Sequence, residues 1–261
     1  MIILKKELHQ GRLSLLVWTL LLAGMLGLCI LIFPEMEEQM QQMSSSFTEM
    51  GDFTAAFGMD ELNIGKFQDF IGIEGGNIMG LLGVMFASLL GIKMIASEED
   101  GHTAEFLLTH PISRSRVILE KLVALVIQIT VLNVAVALIS FALMALVQEE
   151  YEFDKLGLLF FSFYLAQLEV GCISFGISAF LRRNSFGLGI GIGALAYFLN
   201  IISNLIEELE FLKYITPLSY TDSATILYDG SLPMEYVGTG MIFLVVFVLL
   251  AFMVYRRKEI S

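Results

Sequence analysis

Apolar residues fill long uninterrupted stretches of this chain, and the polar residues are gathered between them. Six stretches are long and apolar enough to cross a bilayer as helices, which takes about 20 residues. Their predicted limits are Leu13–Phe33, Gly76–Ala96, Leu122–Val147, Leu156–Leu181, Phe186–Ile206 and Tyr236–Tyr255. The pattern therefore predicts an all-α integral membrane protein, with a single six-span domain over residues 1–261.

One polar interval, Ser97–Lys121, differs from the others because it carries an apolar cluster among its charges. We expect the helix of the second span to end at Asp100-Gly101, and a short helix to follow over Thr103–Thr109, presenting Phe106, Leu107 and Leu108. Pro111 stops this short helix, since the residue before a proline is pushed out of helical geometry. Ser113 is a suitable N-cap for the third span. The cluster either docks a partner or merely touches lipid headgroups.

The first twelve residues, MIILKKELHQGR, are apolar and then basic. They suit a short N-terminal helix that lies at the inner membrane interface. They equally suit basic anchoring of the first span. Both interpretations remain open at the level of sequence.

The first external loop, residues 34–75, contains a row of apolar residues at spacings of four and three. This spacing places them on one face of a helix. Rows of methionine can bind soft metals such as Cu(I), but an amphipathic helix with methionine as adaptable packing is the alternative. The row consists of Met36, Met40, Met43, Phe47 and Met50.

Composition supports the membrane assignment and gives it an orientation. The chain is 56% hydrophobic and only 16% charged, where soluble domains average about 25% charged residues. In the six-span arrangement twelve of the 15 Lys and Arg residues fall on one side, and nineteen of the 27 Asp and Glu residues fall on the other. Because basic loops stay in the cytoplasm, both termini are predicted to be cytoplasmic in the cell membrane. The two cysteines, Cys29 and Cys172, lie inside spans and are interpreted as packing residues.

Known catalytic signatures are missing. The sequence contains no H-E-x-x-H zinc site and no G-x-S-x-G nucleophile elbow. The closest approach to a phosphate loop, GMDELNIGK at residues 58–66, has the wrong glycine spacing and lies on the external side. We therefore predict that the chain is not an enzyme, binds no cofactor, metal or nucleic acid itself, and needs a separate subunit if ATP drives it.

Two intramembrane features are candidate sites. Glu169 falls near the middle of the fourth span, where a carboxylate is costly unless it has a partner, and Gln128, Asn133 and Gln167 are the candidate partners. A substrate or proton role and a neutral packing role both fit. Asn200 and Asn204 are expected to form interhelical hydrogen bonds in the fifth span. That span begins with alternate glycines that favour close helix packing, within the subunit or across a dimer: Gly187, Gly189, Gly191 and Gly193.

The third external loop, Glu207–Glu235, has apolar residues that look half-buried. A segment dipping into the outer leaflet, broken at Pro217, would explain them, provided that protein shields its backbone. The residues concerned are Phe211, Tyr214, Ile215, Leu218 and Tyr220.

The interval after the second span resembles the permease subunits of type-two ABC exporters. In that family this loop commonly reads acidic-x-x-Gly-Thr, then Leu-Leu, then Pro-Ile-Ser-Arg and a downstream Lys. His102, inserted between Gly101 and Thr103, departs from the pattern. Lys6-Glu7-Leu8 and Tyr214–Gly230 resemble the family's N-terminal start and last external loop, so the resemblance covers the whole chain. The matching residues are Glu98, Glu99, Gly101, Thr103, Leu107, Leu108, Pro111, Ile112, Ser113, Arg114 and Lys121.

The resemblance implies an exporter built from two permease copies, identical or paralogous, and two ATPase subunits that bind ATP and Mg²⁺. The short helix would seat on the ATPase, and the spans would contact membrane lipid. Arg114 would anchor the following helix, and Phe106 joins the coupling set through its place in the apolar cluster. A non-transporting sensor or assembly subunit, recognising a ligand through acidic external loops, is the alternative. The coupling role falls on Glu98, Glu99, Gly101, Thr103, Phe106, Leu107 and Leu108.

Overall fold

The computed structural model describes residues 2–48, 54, 56, 62–100 and 113–258, with the backbone alone at 44–48, 98–100 and 207. Within these ranges every regular element is helical. The predicted short helix Thr103–Thr109 lies outside them, as do Gly101, Phe106, Leu107 and Leu108. The α-helices are α1 (Ile2–Thr48), α2 (Phe67–Asn77), α3 (Val84–Asp100), α4 (Arg114–Val147), α5 (Phe153–Ser178), α6 (Phe186–Leu205), α7 (Ser223–Asp229) and α8 (Met234–Arg257).

Among the described residues, six helices are long and apolar enough to cross a membrane, which confirms the predicted all-α membrane fold. The second of them is a continuous rod in which a π-helical segment, Ile78–Gly83, joins α2 to α3. It begins at Phe67, nine residues before the predicted limit at Gly76. The longer start follows from packing, because Phe67 and Phe70 are buried against Phe33 of α1.

Helix α1 corrects two expectations at once. It is a single helix of 47 residues, so the N-terminal dozen forms its first turns rather than a separate interfacial helix. Met36, Met40 and Met43 lie on its distal part, not on a separate external helix. At 1.5 Å per residue, α1 is about 70 Å long and extends beyond a hydrocarbon core of about 30 Å. Pro34 is accommodated inside it.

Helices approach one another closely where glycines face neighbouring helices. Gly91 of α3 lies against Gly171 of α5, and Gly11 of α1 lies against Gln128 of α4. A Cβ added at either position would overlap the neighbouring atoms. The spans nearest the centre are the second and fourth, which are the most buried, whereas α6 and α8 are mostly exposed apolar surface of the kind that faces lipid.

The connection between the fifth and sixth spans packs into the protein instead of looping out. It comprises 3-10 turns at Glu207–Tyr214 and Ser219–Thr221, followed by α7. Leu218 and Tyr220, predicted to be half-buried, are fully buried. Phe211, Tyr214 and Ile215 are instead 44–57% exposed, because the first 3-10 turn lies outside the core.

Candidate functional site: the inner ends of the spans and an interior polar pair

The end of the bundle that carries Ile2 and Lys258 is named the inner end, and the opposite end the outer end. Lys121, at the start of the third span, joins three helices in a dry environment. Its side chain is fully buried, and its Nζ lies 2.7 Å from Glu7 Oε1 of α1 and 2.5 Å from the carbonyl oxygen of Met94 of α3. A buried ammonium is tolerated only when it is paired and hydrogen-bonded. Both conditions are met, and the first three spans are therefore linked at this point.

Glu120, the preceding residue, caps the start of α1 from another helix. Its Oε2 accepts hydrogen bonds from the backbone N–H groups of Ile3 (3.1 Å) and Leu4 (3.2 Å). These are among the first four N–H groups of a helix, which have no partner within the helix. Arg116 holds the other carboxylate oxygen at 3.1 Å. The beginning of α1 is thus fixed to the beginning of α4, where negative charge also suits the helix dipole.

Arg114, predicted to anchor the following helix, also caps the final one. Its guanidinium donates to the carbonyl oxygen of Lys258 at 2.6 Å and to that of Arg256 at 3.4 Å, at the C-terminus of α8. Lys258 in turn donates to the carbonyl oxygen of Leu181, just after α5, at 2.6 Å. Cationic side chains therefore tie the ends of α4, α5 and α8 together.

These contacts join helix ends that precede and follow the predicted coupling segment in the chain. Glu98 and Glu99 lie in the last turns of α3, which is helical as far as Asp100. Ser113 caps α4 by accepting from the N–H of Arg116, as the sequence predicted. Gly101, Thr103, Phe106, Leu107 and Leu108 lie outside the described residues, and their coupling role stays a prediction. Sequence analysis did not predict the network of Glu7, Glu120 and Lys121. The feature that could have indicated it is the presence of charged residues in the first turns of two helices at the same end of the bundle.

Glu169 is buried in the fourth span and is paired with a residue that was not among its predicted partners. The hydroxyl of Tyr220, from the outer connection, donates to Glu169 Oε2 at 2.7 Å. Gly240 of α8 packs directly on the same carboxylate, where any larger side chain would overlap it. Burial, and then the neighbouring carboxylate, raises the pKa of Tyr220, so its hydroxyl keeps its proton.

The amides expected near Glu169 form a separate network around the π segment. Asn133 donates to Gln167 Oε1 at 2.7 Å, and Gln167 reaches the carbonyl oxygen of Met79 at 3.5 Å. Gln128 packs instead on Gly11 and donates to the carbonyl oxygen of Ala124. A π segment displaces the regular hydrogen-bond ladder, and side-chain amides compensate for it here.

The four glycines of α6 divide into two pairs. Gly189 and Gly193 face α3, where an added Cβ would lie 3.0 Å from the Cα of Leu89 and 2.9 Å from the Cα of Met85. Gly187 and Gly191 face open space. Asn200 and Asn204 do not form the expected interhelical hydrogen bonds. Within the described residues neither side chain has a hydrogen-bond partner, and both side chains border a cavity.

Six described helices that are long and apolar enough to cross a membrane define a multi-pass membrane protein. The chain belongs to the family of ABC-2 family transporter proteins, whose model matches residues 1–260. No curated protein matches it. Membership confirms the resemblance to type-two ABC permeases: the chain is the permease component of an ABC transporter, a membrane component and not itself the catalytic one.

Proposed function

We propose that this chain couples ATP hydrolysis by a separate ABC ATPase to export of a substrate or its extraction from the membrane. Family membership supports a transport role, and the inner-end joints support coupling. Lys121, Glu120 and Arg114 connect the helix ends on either side of residues 101–112 to α1 and α8. A displacement of that segment by a docked ATPase would therefore reach four spans.

Docking is tested on the full chain, tagged and purified from its native membranes in mild detergent. We expect an ABC ATPase to co-purify, as identified by mass spectrometry and by vanadate-sensitive ATP hydrolysis. Phe106→Asp and Leu107→Asp are expected to lose the ATPase. Phe211→Asp places the same charge on an exposed phenylalanine of the outer connection and should retain it. Retention of the ATPase by both inner variants would show that docking lies elsewhere.

The ATPase partner requires the basic end of the bundle to be cytoplasmic. Asn184, between α5 and α6, and Ser231, between α7 and α8, are exposed at opposite ends of the bundle. In a chain whose two cysteines are replaced by alanine, an impermeant maleimide should label Ser231→Cys in intact cells. It should label Asn184→Cys only after permeabilisation. The reverse labelling would exclude the proposed orientation.

A second permease copy is also part of the proposal, and α6 offers the surface for it. Gly187 and Gly191 open onto free space, and Leu195 and Phe198 continue the same face, 58% and 57% exposed. Small residues four apart allow helices to approach closely in a membrane. Leu195→Cys should therefore form a crosslinked dimer on oxidation, whereas Leu249→Cys, equally exposed on α8, should not. Crosslinking of both at equal rates would indicate random collision.

A further inference from the structure

A polar cavity of about 460 Å³ lies near the outer ends of the second and fifth spans. Its walls are α2 and α6, and its floor is the connection that carries Leu218, Ser219 and Thr221. Tyr220, between these floor residues, reaches Glu169 instead. The volume lies within the range of about 300–1,000 Å³ that small-molecule sites occupy.

Hydrogen bonds to both walls hold the cavity floor in place. Thr216 Oγ1 donates to the carbonyl oxygen of Ala196 in α6 at 3.0 Å. Ser223 Oγ donates to the carbonyl oxygen of Gly72 in α2 at 2.8 Å. The cavity is thus built in advance, so a ligand would not have to order its walls.

The charged side chains of the lining are already engaged with protein groups. Lys213 pairs with Glu210 at 3.3 Å, and Glu235 accepts from the hydroxyl of Tyr214 at 3.4 Å. Asp222 caps α7 through the N–H of Thr225 at 2.9 Å. These described charged side chains thus already have hydrogen-bond partners in the protein, and a charged ligand would compete with those contacts.

Uncharged polar groups provide the free hydrogen-bonding capacity. Asn200 and Asn204, four residues apart on α6, line the cavity without a side-chain partner in the described structure. Ser219 is 8% exposed, and its Oγ likewise has no partner there. Asn77 uses only its Oδ1, which accepts from the hydroxyl of Tyr197 at 3.0 Å. These groups line one cavity, and a ligand there could give them the hydrogen bonds that the protein does not supply.

We propose that this cavity binds a small uncharged polyhydroxylated molecule, either a free sugar or the sugar headgroup of an outer-leaflet lipid. An amide both donates and accepts, and a hydroxyl does the same, so hydroxyl groups match Asn77, Asn200, Asn204 and Ser219 without leaving a charge unpaired. The rings of Tyr197 and Tyr236 supply apolar faces for the carbon skeleton. Ligand binding to this cavity does not require the ATPase, so its test is independent of the test of the proposed function.

The test uses the full chain in phosphatidylcholine nanodiscs, without nucleotide. Glucose and maltose are the free sugar probes, and their binding is detected by saturation-transfer difference NMR. Monoglucosyl diacylglycerol, added to the nanodisc, is the lipid probe, and its binding is detected by native mass spectrometry. Glutamate and arginine are the charged probes. We expect glucose, maltose or the glucolipid to bind, with a Kd of about 1 mM or lower, and the two readouts to distinguish the free source from the lipid source.

Variants assign the binding to the cavity. Asn200→Leu and Ser219→Ala should each weaken binding about tenfold, since each removes hydrogen-bonding capacity that only the ligand uses. Asn184→Leu makes the same change as the first variant, at an exposed position near the opposite end, and should bind as the wild type does. Monodispersity and an unchanged thermal midpoint identify folded variants. Binding of glutamate or arginine in place of the sugars, absence of binding by all probes, or equal binding by Asn200→Leu would each overturn the proposal.

Discussion

The two ends of the bundle are held together by different chemistry. At the inner end, charged side chains bind backbone groups at helix termini: Glu120 caps α1, Arg114 caps α8, and Lys121 joins Glu7 to the carbonyl oxygen of Met94. At the outer end, aromatic rings pack around Phe33 and Phe141 in tilted or edge-to-face pairs, with ring centroids 4.8–5.4 Å apart. There the connection between the last two spans is held by neutral hydroxyls of Thr216, Tyr220 and Ser223.

This difference assigns separate roles to the two ends: the inner end fixes helices relative to one another, and the outer end packs around a cavity. Charged bonds to helix ends are strong and directional, and a few of them fix several helices relative to one another. Aromatic contacts and neutral hydroxyls are individually weaker and tolerate small adjustments of packing. The inner end is therefore suited to receive a force, and the outer end to surround a cavity.

The largest expected effect is at the buried ammonium. Lys121→Met leaves Glu7 buried without its partner, which should destabilise the protein by about 3–5 kcal/mol. Unfolding by SDS titration, followed by circular dichroism, measures the free energy. Lys155→Met removes an exposed pair with Glu152 at the outer end and should cost at most about 1 kcal/mol. Glu7→Gln combined with Lys121→Met should recover part of the loss. Equal losses for the two lysine variants would contradict the contrast between the ends.

Tyr220→Phe tests the hydrogen bond that joins the outer connection to Glu169. It removes the hydroxyl that donates to Glu169 and should cost about 1–3 kcal/mol. The folded pKa of Tyr220 is raised above 10.0, so the bond contributes fully below about pH 10 and is lost as the pH rises through the folded pKa. The loss should therefore disappear once the pH exceeds the folded pKa of Tyr220. Tyr214→Phe, on an exposed tyrosine, is the control, and equal losses for Tyr214→Phe and Tyr220→Phe at one pH below 10 would exclude the assigned bond.

Arg114→Gln probes the cap of the last helix. The charged bond to the carbonyl oxygen of Lys258 should contribute about 1.5 kcal/mol, the low end for charged hydrogen bonds, because the guanidinium is partly exposed. Amide hydrogen exchange should accelerate in the last turn of α8 and not in its middle. Arg116→Gln, which contacts Glu120 from a mostly exposed position, should leave α8 exchange unchanged. Uniform acceleration along α8 would show a general loss of stability instead.

The smallest effect is expected at the cavity floor. Ser223→Ala removes one neutral hydrogen bond to Gly72 and should cost about 0.5–1.5 kcal/mol in the same SDS titration. Ser231→Ala, at an exposed position in the following loop, is the matched control and should be neutral. A loss for Ser223→Ala as large as that for Lys121→Met would remove the distinction between the two ends.

The sequence predicted the six spans because hydrophobic length alone specifies them, and it predicted Ser113 as an N-cap because that rule is local. It did not predict the continuity of α1, since Pro34 and the basic N-terminus read as boundaries when tertiary contacts are ignored. The partner of Glu169 was also missed. Tyr220 lies 51 positions away in an outer connection, and a partner of that kind depends on the path of the chain. The same holds for Glu7, Glu120 and Lys121, which come together only when α1 packs on α4.

The unbroken length of α1 gives it a mechanical property that separate helices would not have. Its first turns are clamped by Glu120 and Lys121, whereas its distal turns extend past Phe33 towards the acidic outer loops. A rod of about 70 Å converts a tilt of about 5° at the clamp into a shift of about 6 Å at the far end. Pro34 lacks the N–H that would bind the carbonyl oxygen of Ile30, so the distal part is also the place where the rod bends most readily. Helix α1 thus both amplifies a small tilt at its first turns and contains a point at which it can bend.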